Sequence, residues 1–67
     1  MIEVTMMGKL GKVIHLNPHQ IEYIENDAST TIVMLSGKRL VVQEDYTTVL
    51  NRIVEYRRLI GAFKNEE

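Results

Sequence analysis

The sequence predicts an α+β fold, in which a small antiparallel β-sheet of about five short strands precedes one C-terminal amphipathic helix. Three observations indicate this fold. Apolar and polar residues alternate near the N-terminus, short turn-forming segments recur, and the apolar spacing changes to three and four residues after Glu44. We therefore expect a single domain over 1–67, with strands within 2–43, a helix at about 46–60 and a frayed tail over 61–67.

The chain begins with a predicted hairpin. Ile2, Val4 and Met6 are separated by single residues in MIEVTMM, which is typical of a half-buried strand. The following segment GKLG has Gly8 and Gly11 at its ends, and it predicts a hairpin connection to a second strand in KVIHL.

Three further strands are predicted between short turns. Asn17 before Pro18 favours a tight turn, after which QIEYIE reads as the third strand. The loop NDAST leads to TTIVML, whose β-branched residues predict a central strand. Gly37 permits a turn in SGK before the last strand, RLVVQ. Strands joined in this way predict an antiparallel meander.

The helix is predicted to begin after Asp45. This residue is suited to be the N-cap because its carboxylate accepts hydrogen bonds from the free amides of the first turn. Gly61 is the matching stop signal. Helical spacing is shared by the apolar residues between them, namely Tyr46, Val49, Leu50, Ile53, Val54, Tyr56 and Ile60.

Composition indicates a small protein that gains stability by association. The chain has 67 residues, of which 45% are apolar, and a single core of this size is marginal. It contains no cysteine, so it has neither a disulfide nor a thiolate zinc site. We therefore expect a homo-oligomer. No pattern of a signal peptide or transmembrane segment is found, so we expect a soluble cytoplasmic protein.

The polar segment HLNPHQIEYIEND raises the question of a metal or acid–base site. His15 and His19 are four residues apart, but Pro18 and the strand pattern argue against the helix on which such a pair would converge. Glu22 and Glu25 differ in parity along an unbulged strand and therefore face opposite sides. We expect no metal and no cofactor.

The remaining motifs do not indicate an enzyme. Ser29 and Ser36 lie beside turn signals, outside any G-x-S-x-G frame. The glycines form neither a G-x-G-x-x-G nor a Walker motif. We expect a protein without catalytic activity.

A candidate interface is predicted on the helix. Arg57 falls inside the apolar arc, so either its aliphatic stem packs while the guanidinium reaches water, or the guanidinium binds a carboxylate on a partner. Leu59 and Phe63 fall outside the arc, where they are either an exposed pair or part of an interface. Together with Tyr56, these residues form the candidate interface.

Four segments in this order, MIEVT, HLNPHQIEYIE, SGKRLVVQED and VLNRIVEYRR, resemble the flagellar FlbD family, the group that includes the swarming-motility SwrD proteins. The resemblance covers 2–58. It departs from the family in the hairpin MMGKLGKVI, where the family more often has a polar loop. The residues that carry the resemblance most specifically are Asn17, Pro18, Ile21, Glu22, Ile24, Glu25, Gly37 and Lys38.

The resemblance implies a non-enzymatic bacterial motility protein that supports flagellar motor function or assembly. It further implies flagellar motor or assembly proteins as partners and a place at the cytoplasmic face of the flagellar base. An alternative is a LytTR-like nucleic-acid-binding regulator of motility genes, which the strand-rich segments faintly resemble. The formal net charge of −1 and pI near 6.1 oppose it, because nucleic-acid-binding domains are usually basic.

Overall fold

The elements form in the predicted order. The computed structural model describes residues 1–8 and 10–64, and the side chains of 1–8 and 10–61. The α+β fold predicted from the sequence is confirmed. Within these residues the elements are β1 (Ile2–Thr5), β2 (Val13–Leu16), a 3₁₀ helix (Pro18–Gln20), β3 (Ile21–Asn26), β4 (Thr30–Met34), β5 (Arg39–Val42) and α1 (Tyr46–Lys64).

The strands divide between two antiparallel sheets, β1–β2 and β3–β4–β5, rather than forming one continuous meander. The division falls at the turn between β2 and β3. There the side chain of Asn17 accepts a hydrogen bond from the His19 amide at 3.0 Å, and Pro18 starts the 3₁₀ helix. These local hydrogen bonds close the turn. The segment does not continue as a hairpin, because proline has no amide to donate to a neighbouring strand.

The two sheets meet through β1 and β5, which are distant in sequence. Met6 forms an antiparallel bridge with Val42. The Gln43 amide donates to the Thr5 carbonyl at 2.8 Å, and the Met7 amide donates to the Val41 carbonyl at 3.0 Å. The N-terminal hairpin is thereby attached to the last strand.

One apolar core lies between the sheets and α1. The alternation of β1 holds, since Ile2 and Val4 are buried opposite Leu16 and Ile14 of β2. From the helix, Val49 is fully buried. The buried cluster draws on β1, β2, β4, β5 and α1, and its members are Ile2, Val4, Leu16, Ile32, Leu40, Val42 and Val49.

β3 contains an irregularity that the sequence did not predict. Its register against β4 shifts between Ile21 and Tyr23. The extra residue at Glu22 changes the parity of the strand, so Ile21 and Ile24 both pack against the core. We expected Glu22 and Glu25 to face opposite sides of the sheet because we assumed a strand without a bulge. That assumption is wrong.

α1 begins as predicted and ends later than predicted. The carboxylate of Asp45 accepts a hydrogen bond from the Thr48 amide at 2.9 Å, which confirms the N-cap. Gly61 does not end the helix, which continues to Lys64, while 65–67 of the predicted tail lie outside the described residues. Gly61 lacks the positive φ that is typical of a glycine C-cap. In the described part of the chain, no helix combines the length and the apolarity needed to cross a membrane.

Candidate functional site

An open groove of about 400 Å³ runs between the N-terminal strands and α1. We call it the helix groove. Its apolar wall is partly exposed, since Leu59 is 55% and Met1 is 67% exposed. Strands β1 and β2 form one side and α1 the other, and the lining residues are Met1, Ile2, Glu3, His15, Arg52, Glu55, Tyr56 and Leu59.

A polar network fixes the helix beside this groove. The Arg52 guanidinium donates to the Glu3 carbonyl at 2.7 Å and to Glu44 Oε2 at 3.1 Å. Glu44 also accepts from the Thr5 amide and the Thr5 hydroxyl, each at 2.9 Å. The network therefore joins β1, the residue before the helix N-cap and the second turn of the helix.

The network keeps the Glu44 carboxyl ionised although it is largely buried. Its side chain is only 12% exposed. Burial by itself would raise the pKa of Glu44, but the hydrogen bonds from Thr5 and Arg52 outweigh that effect, and the pKa lies below its ordinary value. A carboxylate held in this way is a fixed structural anion at neutral pH.

The sequence interpretation missed this network. Glu44 marks only the point where the apolar spacing changes, and the sequence pattern assigns no role to Arg52. The available signal was a second carboxylate directly before the Asp45 cap. Its partners, Thr5 and Arg52, are 39 and 8 residues away, so no local pattern connects them.

The predicted interface residues do not all lie together. Tyr56 and Leu59 line the helix groove. Arg57 is exposed, although it falls inside the apolar arc of the helical wheel. Residues two apart on a helix point to nearly opposite sides, and Arg57 therefore faces away from the side that Leu59 occupies. Phe63 belongs to the helix, but its side chain lies outside the described residues.

Tyr56 connects the groove with the turn after β2. Its ring lies edge-on to that of His19, with centroids 5.8 Å apart and an interplanar angle of 66°. The tyrosine is half-buried and also packs against the core. Its aromatic contact with the 3₁₀ helix fixes the orientation of the groove wall.

The histidines have separate surroundings. His15 is exposed beside the groove, and its Nε2 is 3.8 Å from Glu3 Oε2, beyond hydrogen-bond distance. His19 instead contacts Tyr56. Within the described residues, no three His, Cys, Asp or Glu side chains are grouped so as to hold a metal ion.

The first residues that carried the family resemblance lie in the turn between β2 and β3 and on β3. Asn17 caps the 3₁₀ helix and Pro18 is buried at its start. Ile21 and Ile24 pack on the core from β3, while Glu22 is exposed at the bulge.

The remaining signature residues lie at the β4–β5 turn and its neighbour on β3. Glu25 accepts a hydrogen bond from Arg39 at 2.6 Å. Gly37 has a φ of 93°, which a residue with a side chain rarely adopts. The Lys38 carbonyl accepts from the Met34 amide at 2.8 Å, so its backbone closes the turn while its side chain is exposed.

Comparison with known protein families matches residues 1–61 to FlbD, described as flagellar and swarming motility proteins. Neither the curated proteins nor the solved structures include a match to the chain. The family match covers nearly all of the sequence. The LytTR-like, nucleic-acid-binding alternative gains no support from these comparisons.

Proposed function

Since the chain belongs to the FlbD family of flagellar and swarming motility proteins, we propose that it supports the working or assembly of the flagellar motor through protein–protein contacts, without catalysis. In this proposal it acts in the cytoplasm, at the cytoplasmic face of the flagellar base. Its partners are proteins of the motor or of its assembly.

The observation that carries the proposal is the helix groove. An apolar wall that remains open to solvent is suited to receive an apolar side chain of a partner. The groove is also rigid, because the Arg52–Glu44–Thr5 network and the Tyr56–His19 contact hold its walls. A preorganised surface loses little conformational freedom on binding.

A motility assay of two matched helix variants tests the groove. Leu59→Glu places a charge in its apolar wall, and Val54→Glu makes the same change on α1 at a residue that does not line it. Leu59 is 55% and Val54 52% exposed, so neither change should unfold the protein. We expect Leu59→Glu to weaken partner binding about tenfold or more and to reduce swarming as deletion does, whereas Val54→Glu behaves as wild type. Equal effects of the two variants would contradict the groove as the contact surface.

Deletion of the protein separates the two kinds of motor role. Filament number is counted by electron microscopy, and swimming speed is measured in the same cells. Normal filaments with slow swimming would place the function in the working motor, whereas missing filaments would place it in assembly. Normal filaments with normal speed and swarming would contradict both roles.

We also propose that the protein is a homo-oligomer. The described residues bury only eight hydrophobic side chains, while Val13, Tyr23 and Leu35 are each at least 46% exposed. A small core gains stability when such side chains are covered by another copy. Analytical ultracentrifugation at micromolar concentration should show an assembly larger than the 7.7 kDa chain. A stably folded monomer would overturn this proposal.

A further inference from the structure

A second groove lies at the opposite end of the β1–β2 hairpin from the helix groove. We call it the basic groove, and its volume is about 260 Å³. Its apolar lining includes Leu40, which is only 6% exposed. The lining residues lie just after β1, on β2 or just before it, and on β5 or just before it, and they are Met6, Lys12, Ile14, Lys38, Arg39 and Leu40.

The charge at this groove opposes the charge of the whole chain. Lys12, Lys38 and Arg39 surround it, although the formal net charge is −1. Arg39 is bound to Glu25 at 2.6 Å. Across the part of the chain that the structure describes, neither Lys12 nor Lys38 has a carboxylate within ion-pair distance. Two ammonium groups are thus available beside a recessed apolar surface.

We propose that the basic groove binds an extended acidic segment of a partner protein, with carboxylates at Lys12 and Lys38 and an aliphatic side chain against Met6, Ile14 and Leu40. The volume favours such an occupant, because pockets for whole small molecules usually have about 300–1,000 Å³. Charge complementarity supplies the preference for acidic residues.

Other anionic partners fit the groove less well. Nucleic acid is held by an extended array of cations, whereas among the described residues three cations surround an apolar floor, and one of them is already paired. Membrane-binding surfaces insert apolar residues that stand out from the protein, but Leu40 lies recessed. An acidic peptide fits the groove better, because one short segment carries both the carboxylates and the aliphatic side chain.

This inference goes beyond the motility role proposed above and is tested with purified protein. The probe is a fluorescent peptide in which aspartate and glutamate alternate with leucine, and binding is followed by anisotropy. We expect affinity to fall as salt is raised, because the Debye length shrinks from about 10 Å at 0.1 M to about 3 Å at 1 M. Two control peptides replace either the acidic residues by glutamine or the leucines by serine, and both should bind more weakly.

Matched variants locate the binding. We expect the double change Lys12→Gln and Lys38→Gln to weaken binding by about three- to tenfold. The change Arg58→Gln removes a positive charge from the helix, outside the basic groove, and should alter affinity by less than about twofold. Circular dichroism checks that each variant is folded.

Three outcomes would overturn the proposal. The first is equal affinity for the acidic and the glutamine peptide. The second is equal weakening by the lysine double variant and by Arg58→Gln. The third is binding of duplex DNA or of phosphatidylglycerol vesicles with none of the acidic peptide. The first and third outcomes are measured with the unchanged protein. They therefore remain decisive even if a variant fails to fold.

Discussion

Leu10 combines full exposure with a backbone conformation that leucine disfavours. Its φ is 55°, and it lies in the hairpin loop between β1 and β2. The left-handed region costs a residue with a Cβ about 1–2 kcal/mol, and asparagine tolerates it better than leucine. We expect Leu10→Asn to raise the free energy of unfolding by about 0.5–1 kcal/mol, measured by urea denaturation.

Leu10→Ala is the control for that prediction. Alanine removes the exposed apolar side chain but keeps the Cβ that makes the positive φ unfavourable, so stability should change little. An equal gain from alanine would mean that loss of the exposed leucine, rather than relief of the backbone, stabilises the fold.

Glu44 should make stability depend on pH. The pKa of its carboxyl is lower in the folded chain than the ordinary value of about 4.3. Its contribution is therefore fully present above that value and is lost as the pH falls through the lower pKa of the folded state. We expect Glu44→Gln to reduce the free energy of unfolding by about 1 kcal/mol at pH 7, and the difference from wild type to shrink below pH ~4.

Urea denaturation at several pH values checks this expectation. Glu55→Gln is the control, because Glu55 is an exposed carboxylate in a surface pair with Arg58 at 3.7 Å, and such pairs contribute little. A difference between wild type and Glu44→Gln that stays constant from neutral to acid pH would rule out the ionised carboxylate as its source.

At the scale of elements, two glycines test where the helix ends. Gly61 and Gly37 both have open space where a Cβ would lie, but only Gly37 has a positive φ. We expect Gly61→Ala to raise the free energy of unfolding by about 0.5–1 kcal/mol, because alanine favours a helix interior. Gly37→Ala should lower it by about 1 kcal/mol. Thermal unfolding measures both changes. A lower stability of Gly61→Ala would indicate that the helix ends at Gly61.

The elements that depend on nearby residues could be predicted from the sequence. The Asp45 cap and the alternation of β1 each depend on residues within a few positions, so their patterns are visible in the chain. The contact of β1 with β5 and the bulge at Glu22 depend on strand partners, which periodicity does not identify.

The candidate site shows the same division. Helical spacing placed Tyr56 and Leu59 on the helix, and both line the helix groove. Val54, by contrast, belongs to the predicted apolar arc but is 52% exposed. Removing Val54 shifts the centre of the buried arc toward Val49 and Ile53.

At the scale of the whole molecule, the two sheets should unfold together. The buried cluster joins both sheets to α1, and Val49 is its helical member. We expect Val49→Ala to lower the free energy of unfolding by about 2 kcal/mol. Far-ultraviolet circular dichroism and tyrosine fluorescence should report one shared urea midpoint in both proteins. Separate midpoints for the two signals would contradict a single cooperative transition.

The hydrogen bonds of β1 also have a consequence for biosynthesis. The hairpin of β1 and β2 is local, and its residues are complete early in translation. The Thr5 amide, however, binds Glu44, which is synthesised 39 residues later. The Glu3 carbonyl must wait for Arg52, 49 residues later. Such distant contacts slow folding. The nascent hairpin therefore leaves the ribosome with its apolar face uncovered, and translation that stops before Arg52 releases a strand pair with no helix to cover it.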